Sequence, residues 1–331
     1  MTMEKTKKES ELLEVLKRAL FKESEVKPTE ILVSIDDSTI ASEGAIVTIG
    51  GLPKARKSTF MLGLLASIFT GKEIFNFKAK QGKVILVDTE QTPYDFQRQA
   101  ELFKKLSKRK ILPKDLVAFL FRQDSIETIK EALIIALEKF KPTYVIIDSI
   151  TDLVYNVNDF EETKKLVQYL KNISALYNVC IITIVHLSKT SNFTLGALGS
   201  ALDRVSQSTL IVKKDKETGN SFLEPLYLRS SDDFKPIYIN YNKDLETYEV
   251  VEGNNIGQPK KAFSMANYTK IELSNMSDLI FQQEKEFTYG ALTIRVKAIF
   301  GIGDTNVRRI VIPYLIQEKF IKNKGGNYVR F

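Results

Sequence analysis

Along the chain, short apolar runs that end abruptly at glycines, acids or a histidine alternate with longer stretches in which apolar residues recur at helical spacing. Ile46 to Ile49 stops at Gly50-Gly51, Val84 to Val87 at Asp88-Thr89-Glu90, Tyr144 to Ile147 at Asp148-Ser149, and Val179 to Val185 at His186. The run Val84 to Val87, ending in acids, reads as a parallel strand buried on both faces, and the other runs read as strands. Leu116 to Phe121 supplies another strand. Between the runs, a stretch beginning near Ser58, then Pro93 to Lys105, Ile126 to Phe140 and Glu161 to Tyr177, read as helices. Alternation of the two predicts an α/β domain with a mostly parallel sheet. Residues 30–50 read as short strands leading into the first glycine pair.

After residue 190 the pattern changes. Residues 190–203, with Gly196 and Gly199, read as a mobile loop running into a short helix. Thr209 to Val212 then turns through Lys216 to Asn220 into Leu226 to Arg229, and Pro236 to Tyr241 turns at Asn242 to Asp244 into Thr247 to Val250. These hairpins extend the parallel sheet with antiparallel strands.

The two ends read differently from the middle. Residues 1–27 are dense in Lys and Glu and place Leu12, Leu13, Leu16 and Leu20 on one helical face, ahead of Pro28. Two readings stay open: a helix packed on its own domain, or an arm that docks on a neighbouring subunit. Residues 253–270, beginning Gly-Asn-Asn, read as a linker. In residues 271–331, Tyr289 to Phe300 reads as a helix, Gly301 to Gly303 as a turn, and Asp304 as the cap of a second helix. That helix carries Val307, Ile310, Val311, Tyr314 and Leu315 on one face, and Pro313 should kink or shorten it. Phe320 to Asn323 and Asn327 to Phe331 pair across Lys324-Gly325-Gly326. The expected domains are therefore an arm (1–27), an α/β domain (28–252), a linker (253–270) and a small C-terminal domain (271–331).

The length of 331 residues fits about two domains. No apolar run is long enough to span a bilayer and the start lacks a signal-peptide core, so a cytoplasmic protein without membrane contact is expected. The single cysteine, Cys180, excludes an internal disulfide framework and reads as buried filler. A formal charge of +7 with a pI near 9.1 is compatible with nucleic acid without requiring it.

The chemistry concentrates at the ends of the apolar runs. Gly51 to Ser58 follows the phosphate-loop template G-x-x-x-x-G-K-[ST] at Gly51, Lys57 and Ser58, whereas Arg56 stands at the second glycine. In such a loop, backbone N–H groups of residues 50–59 (Gly50, Gly51, Lys54, Ala55, Arg56, Lys57, Ser58 and Thr59 among them) cradle the phosphates of a nucleotide at a helix N-terminus. Lys57 adds a charge and Ser58 offers its hydroxyl to Mg2+. An arginine in a left-handed conformation costs roughly 1–3 kcal/mol. Arg56 either bears that strain or adds a cation beside the phosphates. Asp148, ending four apolar residues, suits the magnesium side of the site. Glu90 ends its strand at the same edge, and His186, a polar side chain at the end of another buried strand there, is placed to hydrogen-bond a γ-phosphate.

On these residues, the segment from about 30 to 252 resembles the RecA-like ATPases, and within them the RepA-type plasmid replicative helicases and related mobile-element ATPases. The resemblance implies that Gly51 to Ser58 binds ATP and that Glu90 activates the attacking water. It also implies that Asp148 helps place Mg2+, and that His186, in His-Leu-Ser-Lys, senses the γ-phosphate. Gly196 to Arg204 is similar to the Gly-Ser-rich segment that follows in that family. The resemblance further implies a homo-oligomer, a ring or filament, in which a neighbour's cation completes the site; Arg229 is the first candidate and Arg204 the second. The tail is similar to the winged-helix family, which implies DNA contact by Thr305, Asn306, Arg308 and Arg309 in the major groove and by Lys322, Lys324 and Arg330 on phosphate. The leading expectation is an oligomeric ATPase motor acting on DNA. The alternatives are a DNA-binding regulator that uses ATP as a switch, and an ATPase fold kept as a scaffold.

Overall fold

The computed structural model describes residues 2–26, 28–187, 196–215, 218–252, 265, 268–282, 284–300 and 303–331. The elements run α1 (Thr2–Ala19), β1 (Ile31–Ile35), β2 (Ser38–Ser42), β3 (Ile46–Gly51), α2 (Lys57–Thr70), β4 (Phe77–Ala79) and β5 (Val84–Asp88). Then come α3 (Pro93–Ser107), β6 (Leu116–Leu120), α4 (Ile126–Phe140), β7 (Tyr144–Asp148), α5 (Phe160–Tyr177) and β8 (Cys180–His186). After these follow α6 (Gly196–Val205), β9 (Ser208–Lys214), β10 (Ser221–Leu228), β11 (Ile237–Asn242) and β12 (Thr247–Val251). The chain divides into two compact units, residues 1–253 and 254–331. No described helix is long and apolar enough to cross a membrane.

In the first unit nine of the described strands form one large sheet in the order β12-β11-β10-β9-β3-β8-β7-β5-β6. From β9 to β6 the neighbours are parallel, and β9 to β12 are joined antiparallel. This is an α/β fold with a mostly parallel sheet extended by antiparallel strands. The unbroken apolar runs have a direct cause: successive residues of one strand feed two different cores. Val84 and Leu86 pack with α2 and α3 on one face, while Ile85 and Val87 pack with α4, α5 and α6 on the other. Cys180 is fully buried in β8 and its thiol is pushed up to about 12 by burial, so it acts as apolar filler.

α2 is buried nearly all round, which explains its lack of a polar face. Gly63 is required there, because a Cβ would lie 2.2 Å from the ring of Phe75. Side-chain caps start the other helices: Thr92 accepts from the amide of Asp95, Ser125 from that of Thr128, and Asp159 from those of Glu161 and Glu162. β1, β2 and β4 form a separate three-stranded sheet, tied to the core by the Tyr144 hydroxyl, which donates to the carbonyls of Lys80 and Leu32. On α1 the leucine face is bare: Leu12, Leu13, Leu16 and Leu20 are 52–65% exposed.

The second unit contains α7 (Lys270–Ile280), β13 (Glu286–Thr288), α8 (Tyr289–Phe300), α9 (Asp304–Asn306), a π-helical turn (Val307–Val311), α10 (Ile312–Gln317), β14 (Ile321–Lys324) and β15 (Asn327–Arg330). Its strands pair antiparallel in the order β13-β15-β14. Leu273, Ile280, Leu292, Val296, Val307, Val311, Leu315 and Ile321 form its core. α7 starts with a reciprocal capping box between Thr269 and Glu272, at the end of the stretch expected to be linker. Residues 253–264 of that stretch lie outside the described residues. α7 and β13 lie beyond the elements expected from sequence. Asp304 is not a cap: Gly303 precedes the helix without a side-chain bond, and Asp304 pairs with Lys297 at 3.1 Å and Arg308 at 3.8 Å. The expected kink takes the form of the π turn. Pro313 has no N–H and its ring crowds the carbonyl four residues back, and the wider turn just before it relieves that clash.

Candidate functional site

β3, β5, β7 and β8 bring their carboxyl ends to one edge of the sheet. Register makes the meeting tight: Gly51 lies beside His186, and Asp88 beside Asp148. The chain leaves β3 through Leu52 to Arg56 and enters α2 at Lys57, with Ser58 and Thr59 in its first turn. Two residues of this loop, Lys54 (φ 65) and Arg56 (φ 74, ψ 35), are left-handed. Arg56 thus takes the conformation the missing glycine would take, and bears the strain. Its guanidinium donates to the Gly219 carbonyl at 3.3 Å and lies 5.1 Å from the centroid of the Tyr248 ring. A cation–π contact of about 0.5–1 kcal/mol and one hydrogen bond offset part of the strain.

Gly51 itself admits no side chain. A Cβ there would lie 2.7 Å from the Val212 carbonyl and 2.9 Å from Lys57 Cγ. That close approach folds Lys57 back over the loop, where it is only 8% exposed. Its ammonium donates to the Gly51 carbonyl at 2.9 Å, the Leu52 carbonyl at 3.3 Å and His186 Nδ1 at 3.3 Å. Burial pulls the lysine below its ordinary range, and the charges of Asp148 and Glu90 oppose that.

On the acidic side, the Ser58 hydroxyl donates to Asp148 Oδ2 at 3.2 Å. Asp148 is pushed up to about 7, mainly by burial and then by the charges of Glu90 and Asp88. Glu90 is held below the usual carboxylate range, first by its hydrogen bond from His186 at 3.2 Å and further by the charge of Lys57. Asp88 was missed from sequence. Its Oδ1 accepts from the amides of Glu90 at 3.0 Å and Gln91 at 2.8 Å, so it shapes the turn that presents Glu90. The signal was available, because an Asp at a strand end two residues before a polar residue is an Asx-turn pattern. Thr89 adds a bond to Asp152 Oδ2 at 2.7 Å.

Of the residues expected to act together, the structure groups Gly50, Gly51, Lys57, Ser58, Glu90, Asp148 and His186 at this edge. Arg204 and Arg229 it places elsewhere. The amide of Arg229 bonds to Gln207 just before β9, at the sheet edge opposite Gly51, and its guanidinium donates to the Arg204 carbonyl. Both line a cleft of about 720 Å3 with Ser200, Asp203, Tyr227 and Asp233. Ser188 and Lys189 of the His-Leu-Ser-Lys motif lie outside the described residues. In the second unit Thr305, Arg308, Arg309, Lys322, Lys324 and Arg330 are exposed and Asn306 is half-buried. Arg308 pairs with Asp304 and lies over the Tyr289 ring, and Arg330 pairs with Asp278.

A phosphate loop at the start of a buried helix, with a serine–aspartate pair and a glutamate at adjoining strand ends, defines a P-loop ATPase. Residues 9–192 match the family described as AAA domain, more than half of the chain, and the chain belongs to that family. It is an ATPase. Among solved structures, it is similar to the KaiC-like protein PH0186 from Pyrococcus horikoshii OT3, at 16% identity and a TM-score of 0.45 over 64% of this chain and 91% of that one. No curated protein matches the chain.

Proposed function

We propose that the chain is a homo-oligomeric motor that couples ATP hydrolysis to work on DNA, as a RepA-type replication or mobilisation ATPase does. The observation that carries this reading is the joining of an ATPase core to a second unit of helix, strand, two helices and a hairpin, with cations exposed on both the last helical segment and the hairpin. That order of elements is similar to a winged helix. In this reading Thr305, Asn306, Arg308 and Arg309 face a DNA groove, while Lys322, Lys324 and Arg330 meet phosphate.

At the ATPase site, Lys57 and the loop amides from Gly50 to Thr59 would hold the triphosphate. Mg2+ fits the donors present: the Ser58 hydroxyl and the Asp148 carboxylate already lie together, and the ion ordinarily completes its shell with water and phosphate oxygens rather than a protein cage. Among the described residues no group of three or more ligating side chains offers such a cage. Bound there, the ion would neutralise charge on the phosphates. Glu90 would orient the attacking water, and His186 would answer to the γ-phosphate. Because Arg204 and Arg229 stand at the far edge of their own sheet, they suit a role across a subunit boundary, with Arg229 the first candidate.

The test is ATP turnover with and without single-stranded DNA, alongside Glu90→Gln. The expected result is stimulation by DNA and a loss of about 100-fold or more in the variant with nucleotide binding retained; undiminished turnover would overturn the assignment. A second reading, a DNA-binding regulator switched by ATP, is favoured by Arg56, whose strained left-handed backbone stands where the loop template has a flexible glycine. A forked duplex separates the two. A motor unwinds it, whereas a switch only changes its duplex affinity with nucleotide.

A further inference from the structure

Lys57 and Glu90 are opposite charges at one small site, and each affects the ionisation of the other. Such a pair has an obvious collapsed state: a direct ion pair that fills the place a phosphate must take. The structure does not adopt it. His186 stands between them, with Nδ1 3.3 Å from the ammonium and Nε2 3.2 Å from the carboxylate.

The chemistry fixes which way the imidazole faces. Lys57 has three N–H donors and no acceptor, so Nδ1 must accept. A neutral ring that accepts at Nδ1 carries its proton on Nε2, which donates to Glu90. The other two ammonium protons go to the Gly51 and Leu52 carbonyls, so Lys57 is fully satisfied without touching Glu90. The Leu52 and His186 bonds are the longer ones, so an arriving phosphate can draw the ammonium off them.

We infer that His186 is a positioning residue that holds Lys57 and Glu90 apart in the nucleotide-free site, keeping the lysine available to phosphate and the glutamate's carboxylate oriented. The inference rests on reading Gly51 to Ser58 as the phosphate loop, and it differs from a phosphate-sensing role in what it predicts. Removing the ring lets the carboxylate reach the ammonium and compete with phosphate for it. A sensor lost by truncation is not restored by altering Glu90, and neither is a purely structural histidine.

The experiment measures binding of a fluorescent ADP analogue with Mg2+ to the full chain, with circular dichroism to check folding. His186→Ala is expected to weaken binding by about tenfold, the factor that about 1.4 kcal/mol of competition produces. His186→Gln, whose amide accepts from Lys57 and donates to Glu90, is expected to stay within about threefold of the parent. The double variant His186→Ala with Glu90→Gln is expected to return to the affinity of Glu90→Gln alone. A double variant that binds as weakly as His186→Ala would overturn the inference, as would parental affinity in His186→Ala itself. Failure of the parent chain to bind the probe would instead strike at the phosphate-loop reading.

Discussion

Asp148→Asn should make the nucleotide-free protein more stable at pH 8 and change it little at pH 4.5. The side chain is 8% exposed and accepts from Ser58; asparagine keeps both the shape and the acceptor while removing the charge. In the folded chain the carboxyl is raised from 3.8 to about 7 by burial and by Glu90 and Asp88. For an acid raised on folding, the folded state holds a proton that the unfolded state releases, so stability falls as pH rises from 3.8 to about 7 and is level above that. At about 1.4 kcal/mol per pH unit, that span amounts to roughly 4 kcal/mol at pH 8 and about 1 kcal/mol at pH 4.5. Losing Asp148 also removes its attraction for Lys57, which subtracts from the gain. The net expectation is about 2–3 kcal/mol of stabilisation at pH 8.

Urea unfolding in EDTA without nucleotide reads this directly. The chain has no tryptophan, so far-ultraviolet circular dichroism is the probe. The two units can unfold separately, so the comparison rests on the transition of the larger one. A midpoint shift of ~1 M urea at pH 8, shrinking toward zero at pH 4.5, is expected. An equal shift at both pH values, or a loss of stability at pH 8, would refute the argument that Asp148 carries an electrostatic penalty.

Three further outcomes follow from the same geometry. Gly51→Ala forces a Cβ against the Val212 carbonyl and Lys57, so it should lose about 1–3 kcal/mol in urea titration and bind fluorescent ADP poorly. Arg56→Gly exchanges relief of a left-handed side chain for the loss of the Tyr248 and Gly219 contacts and a more flexible unfolded chain, so stability should change by under about 1 kcal/mol. A loss above about 3 kcal/mol would mean that the arginine braces the hairpin far more strongly than one bond and one ring contact allow. On the proposed DNA contact, Lys322→Ala, on the hairpin, should weaken binding evenly across sequences and lower the salt slope by about one. An unchanged slope in a fluorescence-anisotropy titration would remove that lysine from the contact.

The strand-end residues were legible because a buried parallel strand announces itself as an unbroken apolar run, and whatever polar group ends it stands at the sheet edge. Gly51, Glu90, Asp148 and His186 were all found this way, and the buried strands brought them to one edge. What was not legible depends on contacts distant in sequence. Nothing in the local pattern of Arg56 says that its side chain turns to Gly219 and Tyr248, more than 160 residues on. The carbonyl that excludes a Cβ at Gly51 belongs to β9, paired only through the sheet. In the second unit, the capping box of α7 was a local signal that lay beside the stretch read as linker, and the π turn reflects a proline working against a helix that core packing demands.

The site's electrostatics and its function are linked through one imbalance. Asp88, Glu90 and Asp148 converge at adjoining strand ends, and burial opposes the charged form of Asp148 and Asp88 alike. Lys57, the cation among them, is itself pulled down by burial. An arrangement chosen for stability alone would replace Asp148 with a neutral residue such as asparagine. Its retention makes sense when the missing counter-charges arrive with the ligand: a dication beside Ser58 and Asp148, and phosphate oxygens for Lys57. Binding that supplies them stabilises only the folded chain, so the free energy withheld without them becomes affinity for the nucleotide. The spacer role of His186 belongs to the same logic, since a Lys57–Glu90 pair closed in the empty site would relieve the imbalance too early and leave less for the nucleotide to gain.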